Sequence, residues 1–193
     1  MATTALDSMP VGALAPNFEL PDVLTGGIVT LVDAGKIFPK GVAVVFLCRH
    51  CPYVKHLRVA LNELAREFML RGIGFVGISA NDPSDYPEDA PEGLREMVME
   101  EHICFPILFD ETQEAAKAFT ASCTPDFFLF KKTAGELRLA YHGRFDASTP
   151  KNGVPITGAD LRNALEAVCR GEALAEPFPL SLGCSIKWKN EGE

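Results

Sequence analysis

The chain has 193 residues, with 18 Lys or Arg against 26 Asp or Glu for a formal net charge of −8; 47% of the residues are hydrophobic and six are cysteine. That length fits one domain of up to roughly 200 residues with a sizeable core, and the apolar and charged fractions exclude wholesale disorder. Six cysteines are about 3% of the chain, well short of the roughly 8–10% of a disulfide scaffold, and the acidic balance leaves no basic stripe for nucleic acid.

Met1 to Pro16 carries no Lys or Arg and no apolar run of signal-peptide length. The longest apolar stretch, Val42 to Cys48, is far too short to span a bilayer. A cytoplasmic protein without membrane contact is therefore expected. No repeat or low-complexity linker divides the chain, so residues 1–193 read as a single domain.

Ile28 to Leu31 is a short strand candidate. Val42 to Leu47 is uninterrupted, apolar and Val-rich, as a central strand covered on both faces should be. A helix over Pro52 to Leu70 puts Leu57, Leu61, Leu64 and Phe68 on one face, and Gly72 ends it. Ile73 to Ser79 is a second buried strand. The segment from Asn81 to Pro91, with three prolines and four acids, reads as a solvated loop. Then come a helix over Glu92 to Glu101, a strand over Pro106 to Phe109, and a helix over Glu111 to Phe119 with Asp110 and Gln113 as a capping-box pair. Phe127 to Phe130 and Leu137 to Tyr141 form a hairpin through Ala134-Gly135, and Ala159 to Cys169 is the last helix. The tail, 171–193, reads as irregular and packed on the domain. Alternating strands and helices followed by a hairpin give an α/β fold with a central mixed sheet.

The chemistry lies in Cys48-Arg49-His50-Cys51, where a buried strand hands over to the long helix. Cysteines three apart at a helix N-terminus can close a small disulfide, and the helix dipole favours a thiolate there. Arg49 and His50 add positive charge in the same direction. The pattern predicts Cys48 as the low-pKa nucleophile and Cys51 as the resolving thiol. A soft metal is the alternative occupant, but two cysteines supply only half a tetrahedral site, so neither a metal nor an organic cofactor is expected. Thr124-Pro125 precedes the strand from Phe127, and a proline entering a strand sits at its first residue or at a bulge.

With these residues in place the chain resembles the thioredoxin-like superfamily, and within it the redoxin (alkyl hydroperoxide reductase/thiol-specific antioxidant, AhpC/TSA) branch. The likeness rests on Gly12-Ala-Leu-Ala-Pro-Asn-Phe-Glu-Leu20, Cys48-Arg-His-Cys-Pro-Tyr-Val-Lys55, Ser79-Ala-Asn-Asp82, Tyr86-Pro-Glu-Asp89, Cys123-Thr-Pro-Asp-Phe-Phe-Leu-Phe130 and Leu182-Gly-Cys-Ser-Ile-Lys-Trp188. It covers about residues 10 to 190. The resemblance implies a thioredoxin-like fold with an N-terminal redoxin extension, and a cis Pro125 facing the cysteines beside a backbone free to pair with a substrate peptide. It also implies a thiol–disulfide oxidoreductase acting on a protein or small-molecule disulfide and regenerated by a thiol reductant such as an NADPH-dependent reductase or a low-molecular-weight thiol.

Departures from the pattern frame the alternatives. Thioredoxin's Trp before the first cysteine is Leu47 here, and its buried carboxylate six residues earlier is Val42, which leaves His50 or solvent to assist Cys51. Aligned on Cys51-Pro52, a peroxiredoxin's Thr is Cys48 and its Pro is Val44. A thiol peroxidase with Cys51 as peroxidatic sulfur is one alternative function, and a metal-binding or redox-sensing protein without turnover is another. Cys123 is either a third exchanging thiol or a packing residue. Cys184 reads as a tail thiol, with a disulfide elsewhere as its alternative, and Cys104 and Cys169 as core thiols; His56 reads as solvated, and Asp126 and Arg144 as solvent-facing charges, with the active-site edge as the alternative place for those two.

Overall fold

Gly41–Phe46 is buried at every position, and in the computed structural model it is the middle strand of the molecule. The structure describes residues 9–189; half of the N-terminal stretch read for a leader, residues 1–8, and the last four residues of the tail lie outside them. In chain order the elements are β1 (Glu19–Pro21), β2 (Ile28–Thr30), α1 (Leu31–Ile37), β3 (Gly41–Phe46), α2 (Pro52–Met69) and β4 (Ile73–Ser79). A 3-10 turn (Pro87–Asp89), α3 (Pro91–Glu100), β5 (Ile107–Phe109), α4 (Glu114–Ala118) and β6 (Cys123–Thr124) follow. β7 (Asp126–Thr133), β8 (Glu136–Gly143), α5 (Ala159–Arg170) and β9 (Cys184–Ser185) complete the chain.

Five strands form a mixed sheet in the order β5-β4-β3-β7-β8. β3 pairs with β4 in parallel and with β7 antiparallel, so both of its edges are used. Alternation along β3 divides the core. Ala43, Val45 and Leu47 pack with α2, α3 and α5, whereas Val42, Val44 and Phe46 pack with α1 and α4. On the second face Phe119 meets Phe46, Phe128 and Phe130 edge-on, at 5.4, 5.5 and 5.7 Å between ring centroids. Each such pair contributes about 0.5–1.5 kcal/mol beyond the area it buries. The β7–β8 turn forms at Ala134 and Gly135 with φ of 52° and 86°, the positive pair that matches hairpin twist.

The N-terminal segment covers both outer strands. Gly12 N–H and Ala15 N–H donate to Leu139 and Leu137 of β8, and Leu14 bridges to Arg138. Farther along, Val23 N–H donates to Ile107 of β5, and Asp22 bridges to Leu108.

Two local expectations are corrected. The stretch from Leu31 is helical, because Thr30 Oγ1 accepts the Asp33 N–H as an N-cap. No capping box opens α4: Gln113 adopts φ 63°, and its side chain leaves the helix to bind Ala80 O and Lys187 O at 2.6 and 2.8 Å. Asp110 Oδ2 instead accepts the Ala116 N–H.

Candidate active site

β3 ends at Phe46, and Leu47 N–H is still tied to Ile78 O of β4. The next four residues, Cys48 to Cys51, form an extended turn that delivers the chain to Pro52, the first residue of α2. A proline at that position loses no helical hydrogen bond and pre-sets the helix, which makes Cys51 the N-cap. Both cysteines are fully buried.

The carbonyl and hydroxyl of Thr124, preceding a cis Pro125, close over the sulfurs. Cys51 Sγ donates to Thr124 O at 3.1 Å, Cys48 Sγ is 3.4 Å from Thr124 Oγ1, and His50 Nδ1 lies 3.6 Å from Cys48 Sγ. Once Cys51 is ionised, the neighbouring Cys48 thiol is its hydrogen-bond donor. That bond holds Cys51 well below the ordinary thiol range, aided by the Thr124 side chain and the amide N–H groups of Val54 and Cys184. The same bond pushes Cys48 up, with burial and the Asp89 charge adding to it. This reverses the direction expected from the sequence. The helix starts one residue after Cys51, so the positive end of its dipole serves Cys51 and not Cys48.

Arg49 is also corrected. Its guanidinium turns from the sulfurs to α3, binding Gly93 O at 2.8 Å, Glu96 at 2.7 Å and Glu100 at 3.2 Å. Its charge is neutralised there. His50 faces the site as expected: its ring stacks on Tyr86 at 3.9 Å and pairs through Nδ1 with Asp89 Oδ2 at 2.5 Å.

Asp89 is the residue that the sequence pattern hid. It sits in the acidic stretch expected to be solvated, yet it is fully buried. Its Oδ1 accepts the backbone N–H groups of Arg49 and His50 at 2.8 and 3.0 Å, and its Oδ2 also accepts from Asn81 Nδ2 at 2.8 Å. Cys48 Sγ, His50 Nδ1 and an Asp89 oxygen lie within 4.8 Å of one another, the spacing of a three-ligand metal site. Both Asp89 oxygens are already committed to protein donors, so the carboxylate fits a structural clamp better than a ligand.

Cys123 is buried, its thiol directed at Pro125 O at 3.8 Å and pushed up mainly by burial. Asp126 is buried between His142 and Ser181 and is not solvent-facing; His56 bonds Ser148 Oγ, and Arg144 pairs with Asp160. Cys104 and Cys169 are half-buried against the first-face core.

Residues 11–139 match the AhpC/TSA family. The chain belongs to that family. No curated protein matches it, but solved structures do. An uncharacterized conserved protein from Geobacillus kaustophilus is 41% identical, with all of both chains covered and a TM-score of 0.90. A hypothetical protein from Sinorhizobium meliloti is 40% identical over 95% of this chain and 97% of its own, with a TM-score of 0.89. A thiol:disulfide interchange protein of the thioredoxin family from Chlorobium tepidum is 17% identical and superposes with a TM-score of 0.60 over 85% of this chain and 99% of its own. The fold of this AhpC/TSA-family member is therefore thioredoxin-like, as the motifs implied. Among the described residues no helix is long and apolar enough to cross a membrane.

Within this AhpC/TSA-family chain the site draws on four regions: the Cys48–Cys51 turn, the Asn81–Asp89 loop, the Thr124–Pro125 corner and the C-terminal tail. The one sequence signal for Asp89 is its place in Tyr86-Pro-Glu-Asp89, a segment of the family resemblance inside an otherwise polar loop.

Proposed function

We propose that the protein is a thiol–disulfide oxidoreductase whose Cys48 and Cys51 alternate between dithiol and disulfide. The Cys51 thiol, held down at the N-terminus of α2 by a hydrogen bond from Cys48, carries this reading. The Cys51 thiolate attacks a substrate disulfide R–S–S–R′, forming a Cys51–S–S–R mixed disulfide and releasing R′S⁻. Cys48 then attacks Cys51 Sγ, its proton going to the departing sulfur, so that RSH leaves and the Cys48–Cys51 disulfide remains. The attacking and resolving roles are thus exchanged relative to the sequence expectation, because the charge rests on Cys51. Two electrons from a thiol reductant, either an NADPH-dependent reductase or a low-molecular-weight thiol, restore the pair. The cytoplasm, where thiol pools stay reduced, is the proposed setting.

The test is reduction of a model protein disulfide driven by a small dithiol. Wild type turns over, and Cys48→Ser and Cys51→Ser each lose turnover; two variants as active as wild type would refute the proposal. A second reading, a thiol peroxidase with Cys51 as peroxidatic sulfur, draws on the family match and on the same anionic Cys51. Rapid hydroperoxide consumption with sulfenate on Cys51, and no turnover of the disulfide, selects it.

A further inference from the structure

The tail expected to be irregular is laid across the site. β9 pairs antiparallel with β6 in the register Thr124↔Cys184 and Cys123↔Ser185. Beyond it, Ile186 N–H donates to Ser122 O, Lys187 N–H to Asn81 Oδ1 at 2.9 Å, and Asp82 N–H to Lys187 O. Gln113 clasps the far end, donating to Lys187 O and accepting the Lys189 N–H, each at 2.8 Å. Gly183 permits the approach: a Cβ there would stand 2.1 Å from Thr124 O. The backbone edge beside Pro125, where an extended peptide would add as a strand, is thus taken by the chain's own C-terminal segment.

That segment brings a third sulfur to the pair. The register places Cys184 opposite Thr124, whose carbonyl takes the Cys51 thiol; the Cys184 backbone N–H favours the Cys51 thiolate, and the Cys51 charge reaches the Cys184 thiol and raises it. Cys48 and Cys51 have no exposed surface, whereas Cys184 is only half-buried. Of the three cysteines, only Cys184 has exposed surface.

Building on the oxidoreductase reading, we propose that Cys184 is a third exchanging sulfur, presented to Cys51 by β9 in the manner of a tethered substrate. Once Cys51 is linked to Cys48 or to a substrate thiol, the Cys184 thiolate attacks Cys51 Sγ. A Cys51–Cys184 bond forms, the older bond to Cys51 breaks, and Cys48 or the substrate leaves as thiolate. The exchange is neutral in electrons, and the Cys184 proton passes to the departing sulfur. Cys184 is pushed up to about 11 by burial and by the Cys51 sulfur. The second cause vanishes when Cys51 enters a disulfide, which eases the ionisation of Cys184 at the step that needs it, while burial still opposes it. The tail disulfide brings the oxidised centre to the protein surface, where a reductant can reach it.

The full-length Cys48→Ser variant, treated with a small aromatic disulfide and quenched in acid, tests this. Trypsin cuts after Arg49, Lys55, Arg170 and Lys187, so Cys51 and Cys184 fall on separate peptides, 50–55 and 171–187. The expected product is these two peptides joined by a disulfide, with a second equivalent of aromatic thiol released per Cys51 and no such product in Cys48→Ser/Cys184→Ala. A lasting aromatic adduct on Cys51 without the joined peptides overturns the role of Cys184 and leaves the oxidoreductase reading standing. Neither adduct nor joined peptides defeats both. Oxidised wild type, mapped the same way, provides the check that does not depend on the variant's folding: the 50–55/171–187 product is expected beside 41–49/50–55, and its absence there also counts against Cys184.

Discussion

Asp89 holds His50 twice, through the backbone N–H at 3.0 Å and through ring Nδ1 at 2.5 Å. A carboxylate from the 3-10 turn after β4 thereby fixes the turn that carries both cysteines.

Asp89→Asn tests that clamp. The amide can accept from the Arg49 and His50 backbone, but its NH2 group faces the donors of His50 and Asn81. Hydrogen bonds to a buried charge are worth about 1.5–3 kcal/mol each, so a loss of about 3 kcal/mol in denaturant unfolding of the reduced protein is expected. Because the Asp89 charge raises Cys48, alkylation of Cys48 should also move to lower pH. An unmoved profile would mean that the carboxylate is structural only.

Stability should fall in alkali. Burial pushes Cys123 up in the folded state, and the bond to Cys51 together with burial pushes Cys48 up, so both stay protonated after the unfolded thiols ionise at about pH 8.5. The unfolded state then binds fewer protons than the native state, and stability present below that pH is lost as pH rises. The slope is about 1.4 kcal/mol per pH unit for each such thiol. Cys123→Ala should remove one thiol's share of the slope between pH 9 and 10.5, about 1.4 kcal/mol per unit, read from urea midpoints under reducing conditions.

Gln113→Asn keeps a residue that tolerates positive φ but shortens the reach to the tail. Lost bonds to Ala80 O, Lys187 O and Lys189 N–H should cost about 1–3 kcal/mol. Tryptic cleavage after Lys187 should accelerate. Unchanged cleavage would show that Asn81 and β6 hold the tail without it.

Arg49→Gln separates position from charge. The guanidinium is neutralised by Glu96 and Glu100, both exposed, and surface pairs of this kind are worth about 0–1 kcal/mol. A small, salt-sensitive loss of stability is expected, with no shift in thiol alkylation against pH. A shift would restore the direct electrostatic role that its sequence position suggested.

The layered sheet was legible because its strands are buried on both faces and its helices carry apolar stripes: Val42 to Leu47 and Leu57, Leu61, Leu64 and Phe68 announce themselves. The cysteine pair, His50 and Thr124-Pro125 were legible as a local motif. Asp89, Gln113 and Cys184 were not, since each acts over a long sequence separation. A buried carboxylate in a proline-rich acidic loop has the same local composition as a solvated one. Gln113 three residues after Asp110 imitates a capping box while its side chain serves the tail. The start of α2 at Pro52 was legible, and with it Cys51 as the cap; the contacts that Thr124 and Cys184 make with that sulfur were not.

The segment from Gly12 to Val23, hydrogen-bonded to β8 at one end and β5 at the other, has a consequence for association between molecules. It spares the sheet two rows of unpaired backbone groups that would otherwise template strand addition from a second copy. A chain shortened past Val23 should keep its thiols in register on β3 and α2 yet lose solubility by edge-to-edge aggregation, so that the first property damaged is colloidal rather than chemical.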